Sequence, residues 1–147
     1  PWLTFENVDA RLIGANLDVD HRWAELHASY HSGENRARGG PLAEVQPLRG
    51  SGTVKGPFGP WTPWVKCTAA AEQNRVDAAL GETPTPAWHR WDLGVRYARR
   101  VQLAADLENV TNELYSQHLS YMRDPFASGM RVWEPGRTFR LSLGATY

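Results

Sequence analysis

One segment near the C-terminal end carries the side chains best suited to bind a metal or its chelate. His118, Met122 and Met130 offer borderline and soft donor atoms of the kind that suits copper. Arg123 and Arg131 could form charge-assisted hydrogen bonds with an anionic chelate. No two of the donors have a metal-ligand spacing such as His-x-x-x-His, and the simpler interpretation is that these residues brace and pack a loop. We expect a ligand-contacting loop and leave the metal unspecified.

A second set of polar residues recurs at alternate positions, as on one face of a sheet. The set is His27, His31, Asp92, Arg96, Asp106, Glu108 and Arg140. The two histidines, with Glu25, could form part of a metal path, although polar residues are also the default lining of a barrel lumen. The charged members are expected to form ion pairs, Asp106 with Arg140 on the next strand or Asp92 with Arg96 on the same strand, or to contact a plug inside the lumen.

Enzymatic chemistry has little support in the sequence. Asp106 and Glu108 are paired carboxylates of the kind that glycosidases use, but no substrate cleft accompanies them. No Ser-His-Asp arrangement and no phosphate-binding glycine-rich loop is visible. We expect a protein that is not an enzyme and that uses no cofactor.

Composition narrows the class of protein further. The 147 residues include 16 basic and 16 acidic side chains, so the formal net charge is zero. A nucleic-acid-binding surface needs a clustered basic excess, so we expect no nucleic-acid partner. The single cysteine, Cys67, excludes an internal disulfide and a cysteine-based zinc site. No run approaches the roughly 18 apolar residues that a membrane helix needs.

Hydrophobic residues recur with period two rather than 3.6, which predicts strands with one apolar and one polar face. The final stretch, TFRLSLGATY, is the clearest example, with Phe139, Leu141, Leu143 and Tyr147 at alternate positions. Seven strands are expected, and their predicted ranges are about 12–20, 24–31, 45–55, 61–73, 90–97, 101–108 and 139–147.

The predicted connections alternate between short and long. Residues 20–22, 56–60 and 99–100 are tight turns, whereas 32–44, 74–87 and about 111–136 are long loops. An antiparallel up-and-down meander with short turns at one end and long loops at the other is the organisation of outer-membrane barrels.

Aromatic residues gather near both ends of the predicted strands, as in the interfacial girdles of a transmembrane barrel. Beside the short turns or the terminus lie Trp23, Trp61, Tyr97 and Tyr147; near the long loops lie Tyr30, Trp88, Trp91 and Phe139. A soluble β-sandwich binding module also alternates with period two, and it remains an alternative.

Four motifs resemble the C-terminal barrel of TonB-dependent outer-membrane receptors. In order, they are ENVDARLIGANLDVDHRW (6–23), GGPLAEVQPLRG (39–50), LAADLENVTNELYSQHLSY (103–121) and RDPFASGMRVWEPGRTFRLSLGATY (123–147). The third matches a Glu-Asn-Leu-x-Asp/Asn-x-x-Tyr pattern through Glu108, Asn109, Asn112 and Tyr115, with Val110 where leucine is usual.

The resemblance implies that residues 1–147 are the last seven strands of a 22-stranded barrel in the Gram-negative outer membrane. In that family a plug domain fills the barrel, and energy from TonB drives active uptake of a scarce ligand such as siderophore-iron, copper or zinc. The plug, the TonB box and the N-terminal strands would be absent from this fragment. Expected partners are outer-membrane lipid, the plug and remaining strands, the TonB complex, and the assembly machinery. A small passive porin-like barrel, with residues 1–8 as an eighth strand, remains a second alternative.

The last strand has a particular role in this interpretation. Its alternate residues Phe139, Leu141, Leu143 and Tyr147 would face lipid and form the signal that the assembly machinery recognises. Because backbone groups in hydrocarbon must be paired, its free edge would pair with the first strand of the barrel.

Overall fold

The structure, a computed structural model, describes residues 7–120 and 130–145. Eight strands form one antiparallel sheet, and their bounds are β1 Ala10–His21, β2 Ala24–Asn35, β3 Gly40–Pro41, β4 Arg49–Lys55, β5 Trp61–Ala70, β6 Trp88–Ala98, β7 Val101–Glu108 and β8 Thr138–Ala145. Seven of them are neighbours in the order β1-β2-β4-β5-β6-β7-β8, and the two-residue β3 pairs with β2 alone. The all-β meander predicted from the sequence is confirmed.

Two strands, β2 and β4, have ends that differ from the predicted ones. β2 continues to Asn35, well into the predicted loop, because β1 pairs with it along its whole length from Ala10. β4 begins at Arg49 rather than near residue 45, since Val45 is buried and its carbonyl accepts a hydrogen bond from Gln73 Nε2 at 2.8 Å. At Val45, a hydrogen bond from the side chain of a residue in another loop therefore takes the place of backbone hydrogen bonds between strands.

Connections at the two ends of the sheet are as unequal as the pattern predicts. At one end the strands are joined by Arg22–Trp23, by 56–60 and by Arg99–Arg100. The middle turn depends on Gly59, whose φ of 55° is a left-handed conformation that glycine adopts without steric cost. At the other end lie 36–48, 71–87 and 109–137, and the second of these contains a short 3₁₀ helix, Ala78–Leu80. No helix in the described part of the chain is long and apolar enough to cross a membrane.

Register places the alternating apolar residues of all seven long strands on one side of the sheet, which we call the apolar face. Its central residues include Leu17 on β1, Leu26 on β2, Val54 on β4, Val65 on β5, Leu93 on β6, Leu103 on β7 and Leu141 on β8. These side chains are exposed, from 39% for Leu103 to 69% for Leu141. Among the described residues no second sheet covers them, so the sandwich alternative is not observed. An exposed continuous apolar surface of this extent needs an apolar partner.

Aromatic side chains follow the same division, with one correction. Trp61 and Tyr97 pack together on the apolar face near the short turns, with ring centroids 4.7 Å apart. Tyr30 and Trp91 lie exposed on the same face. Trp88, however, is on the opposite side of the sheet and buried, so its assignment to an outer aromatic girdle is wrong.

The opposite side, which we call the polar face, carries the charged and hydroxyl residues of each strand. At one point it is tightly packed around Gly94, where a Cβ would lie 2.4 Å from Asp106 Oδ1 and 2.7 Å from the Trp64 ring. Glycine is therefore required there by the close approach of its neighbours.

The two outermost strands, β1 and β8, are not paired with each other, so the described sheet has two open edges. All of β8 apart from Thr138 is exposed, including Phe139, Leu141 and Leu143, and Tyr147 lies outside the described residues.

Candidate functional site

The junction between β7 and the long loop after it is built on Asn109. This residue is 1% exposed and has a φ of 51°, a left-handed conformation that asparagine tolerates. Its backbone N–H donates to Asp92 Oδ1 at 2.8 Å, its Nδ2 donates to the carbonyl of Glu113 at 2.9 Å, and its Oδ1 accepts from the Glu113 N–H at 2.8 Å. The motif that carried the family resemblance is therefore a strand-to-loop junction.

Tyr115, the last residue of that motif, anchors the loop to the sheet. It is 3% exposed, and its ring packs on Trp88 with centroids 4.2 Å apart. Its hydroxyl accepts a hydrogen bond from Arg90 Nη1 at 2.9 Å. Two residues further on, Gln117 accepts a bond from Arg49 Nη1 at 2.7 Å. Arginines on two strands of the polar face are thus tied to one loop.

Glu82 connects all three long loops. Its Oε1 accepts from the backbone N–H of Glu44 and lies 2.9 Å from His118 Nε2, while its Oε2 accepts from the N–H of Asp77. The side chains of His118 and Glu82 are 2% and 9% exposed. The other ring nitrogen of His118, Nδ1, contacts the hydroxyl of Thr85. Residues from 36–48, 71–87 and 109–137 therefore meet at one carboxylate, and we call this group the loop hub.

The predicted ligand loop is only partly described. His118 is buried in the loop hub with both ring nitrogens engaged. Arg131 braces the neighbouring loop by donating from Nη2 to Thr83 and to the carbonyl of Pro84. Met130 is 59% exposed, whereas Met122 and Arg123 lie outside the described residues. No group of three or more His, Cys, Asp or Glu side chains in the described ranges is arranged to hold a metal ion.

All seven predicted wall residues lie on the polar face, but their pairing differs from the prediction. Arg140 is opposite Asp106 in register, yet its Nη1 pairs with Glu108 Oε1 at 3.0 Å. Asp92 pairs through Oδ2 with Arg90 at 3.1 Å rather than with Arg96, while its Oδ1 accepts from the Asn109 N–H. The predicted ion pairs are wrong in their partners.

Two histidines on β2 have separate surroundings. His27 Nδ1 lies 2.6 Å from Asp18 Oδ1 on the neighbouring strand. His31 packs across Gly14, where a Cβ would lie 2.6 Å from its ring. The structure therefore does not bring the two rings to a common ligand.

Asp106 Oδ1 and Trp64 Nε1 are buried on either side of Gly94, and neither forms a hydrogen bond within the described part of the chain. Buried polar atoms without partners are costly. This point of the polar face is therefore suited to contact a further polar group.

A recess of about 260 Å³ opens on the polar face between β1 and β6. Three basic residues line it, Arg49 from β4, Lys66 from β5 and Arg90 from β6, together with hydroxyl and amide groups from Asn16, Ser29, Ser51 and Thr68. A smaller recess of about 100 Å³ lies beneath the loops, and Arg49 lines both.

Sequence reasoning missed Glu82, Thr85, Lys66 and Arg49 as parts of a site. Lys66 lies an even number of positions from the polar residues of β5, so the alternation of side chains could have placed it on the polar face. Glu82 lies alone in a loop, 36 residues from His118, and no local pattern marks it.

Comparison with known proteins supplies the family context. The family described as "TonB dependent receptor-like, beta-barrel" matches residues 1–110. No curated protein matches the chain. Thirty-one chains of solved structures match, and one of them is the copper transporter OprC. The chain is 27% identical to OprC with a TM-score of 0.77, and the match covers 90% of this chain and 23% of that one.

Proposed function

Because this chain belongs to the TonB-dependent receptor family through its β-barrel, we propose that it forms the C-terminal part of the barrel of an outer-membrane importer. The chain spans 23% of the length of the copper transporter that it resembles, so the plug, the other strands and the TonB contact belong to the rest of such a receptor.

The observation that carries this proposal is the division between the two faces of one sheet. The apolar face is exposed over seven strands, while the polar face carries ion pairs and a basic recess. A transmembrane barrel needs this arrangement, with apolar residues towards lipid and polar residues towards the lumen. The long loops, held together by the loop hub, would close over a ligand at the extracellular end.

We propose a metal or metal chelate as the transported substrate, because the similar solved structure is named a copper transporter. Met122, Met130, Arg123 and Arg131 remain proposed ligand contacts, with the exposed thioether of Met130 as the best-placed described donor. We assign His118 a structural role in the loop hub in addition to its proposed ligand role.

Growth of a deletion strain on limiting copper, iron or zinc tests the substrate and the mechanism together. The intact receptor should restore TonB-dependent growth on one of these metals. Growth that is independent of TonB would favour a passive barrel.

Two substitutions in the intact receptor separate ligand contact from loop structure. Met130→Ala should lower uptake of that metal several-fold, whereas Leu114→Ala, which truncates another exposed apolar side chain in the same loop, should not. Equal uptake by both variants would remove Met130 from the ligand set.

A further inference from the structure

A recess opens at the short-turn end of the apolar face, where the chain turns from β6 into β7. It has a volume of about 640 Å³ and is lined by Tyr97, Arg99, Arg100 and Val101. Register places Tyr97 and Val101 on the apolar face. In the proposed barrel this recess therefore lies on the outer surface and not in the lumen. It combines apolar wall residues with two cations.

The two arginines of this turn have no anionic partner in the described part of the chain. Arg99 and Arg100 are exposed, and neither side chain forms a hydrogen bond or an ion pair within the described ranges. Near the other two short turns, by contrast, the Arg22 guanidinium lies 4.3 Å from the centroid of the Trp23 ring, and Lys55 is paired with a carboxylate. The turn from β6 to β7 therefore carries two positive charges that the described chain does not neutralise.

We propose that this recess binds the phosphate of an anionic phospholipid in the periplasmic leaflet of the membrane. The inference rests on the proposed function, because the short turns of an outer-membrane barrel lie on the periplasmic side. Guanidinium groups bind phosphate oxygens through paired hydrogen bonds. Basic residues clustered at a membrane surface also attract anionic lipids. The apolar face beside the recess is the surface against which the acyl chains of the same lipid lie, so a lipid gains contacts that a free phosphate ion lacks.

Packing between neighbouring strands fixes the position of the recess. The Tyr97 ring packs against Trp61 with centroids 4.7 Å apart, and the Ala98 N–H donates to the carbonyl of Pro60 at 3.0 Å. These contacts hold the short turn before β5 beside the recess. Aromatic residues of membrane proteins sit at the level of the lipid head groups. The arginines, two and three residues beyond Tyr97, therefore lie at the depth of the lipid phosphates.

Lipid binding by the intact receptor, purified in detergent, tests this site directly. Native mass spectrometry follows the number of phosphatidylglycerol molecules bound as the lipid concentration rises. The double variant Arg99→Gln/Arg100→Gln should weaken the tightest phosphatidylglycerol site about twentyfold, since each basic residue at an anionic surface contributes about fivefold. Arg99→Lys/Arg100→Lys should have intermediate affinity, because lysine keeps the charge without the planar fork of donors. Arg22→Gln, which removes a cation from another short turn, is the matched control and should bind as the unchanged receptor does.

Two further probes distinguish a phospholipid site from a general attraction for anions. Phosphatidylcholine, which has no net charge, should bind weakly and equally in all the variants. Inorganic phosphate in large excess should not displace phosphatidylglycerol, and displacement would overturn the lipid site in favour of an anion site. A loss in Arg22→Gln as large as that in the double variant would show a diffuse charge effect and would also overturn it. The heat-dependent shift in gel mobility checks that each variant is folded.

Cellular uptake of copper, iron and zinc distinguishes failure of this site from failure of the proposed function. Loss of phosphatidylglycerol binding in the double variant, with TonB-dependent uptake by the unchanged receptor, supports both. Equal lipid binding in all the variants, with TonB-dependent uptake, overturns the lipid site and leaves the importer function standing. Loss of lipid binding in the double variant, without TonB-dependent uptake of any of these metals, supports the lipid site and overturns the importer function.

Discussion

The strands and the loop end of this protein are held together in different ways. Across the seven long strands, side chains on the apolar face are exposed and the backbone ladder supplies the contacts. At the loop end, Ala70, Trp88 and Tyr115 form a buried apolar cluster. Val45 and polar groups such as Asn109 and His118 are also buried in this region. What resembles the core of a water-soluble domain is therefore found in and beneath the loops.

This difference is the one expected for a chain whose strands face lipid and whose loops face water. A strand that faces lipid gains nothing from a dry core and needs an apolar surface with every backbone group paired. Loops in water must bury side chains and satisfy polar groups internally, as soluble domains do. The two regions should consequently respond to different kinds of substitution.

The largest effect is expected for a charge placed on the apolar face. In the intact receptor, Leu17→Arg should destabilise the folded barrel in lipid vesicles by about 3 kcal/mol, because a cation then faces hydrocarbon. Asn16→Arg, one residue away on the polar face, should cost less than about 1 kcal/mol. Urea titration of the folded fraction on gels measures both. Similar losses for the two variants would contradict the assignment of the faces.

A smaller loss is expected for an isosteric change at the loop junction. Asn109→Asp removes the Nδ2 donor and turns an anionic oxygen towards the carbonyls of Glu113 and Pro135, so it should cost about 2 kcal/mol. Asn112 also has a positive φ, but within the described ranges its side chain uses Oδ1 alone, as an acceptor for the Arg137 N–H, so Asn112→Asp should be nearly neutral. The same urea titration compares them, and a loss at Asn112 as large as that at Asn109 would rule out the proposed role of the amide donor.

Weakening the loop hub should loosen the loops and leave the strands unchanged. Glu82→Gln replaces a charged acceptor with a neutral one and should cost the loops about 1 kcal/mol. Hydrogen exchange should then accelerate at the Glu44 and Asp77 amides and stay constant in β5 and β6. Glu72→Gln is the control, because Glu72 is exposed and forms no hydrogen bond in the described chain. Faster exchange throughout the sheet would mean that the hub also supports the strands.

The smallest effect is expected for the ion pair at the edge of the polar face. Arg140 is 59% exposed, so its attraction to Glu108 is screened by water. Arg140→Gln should change stability by less than about 0.5 kcal/mol, measured by urea titration beside the unchanged receptor. A loss above 1 kcal/mol would show that Arg140 contacts another part of the intact receptor.

Alternation was enough to predict the seven long strands, their order of pairing and the unequal connections, because these features depend on residues close in the sequence. It did not predict the two-residue β3 or the ends of β2 and β4. Trp88 shows the limit of this reasoning, since closeness to a long loop suggested a girdle although its parity with Arg90 and Asp92 places it on the polar face. The sequence could not predict that His118 contacts Glu82 or that Asp92 pairs with Arg90 rather than with Arg96. These choices depend on how distant loops fold back, and period two carries no information about that.

The meander also bears on the order in which the molecule forms. Apart from the two-residue β3, strands that are neighbours in the sheet also follow one another in the chain, so the sheet can grow one hairpin at a time through contacts close in sequence. Arg49 and Gln117, by contrast, are 68 residues apart, and their bond requires that most of the sheet already exists. We therefore expect closure of the loops to be a late step, so that in an incompletely folded barrel the strands would be paired while the loops were still apart.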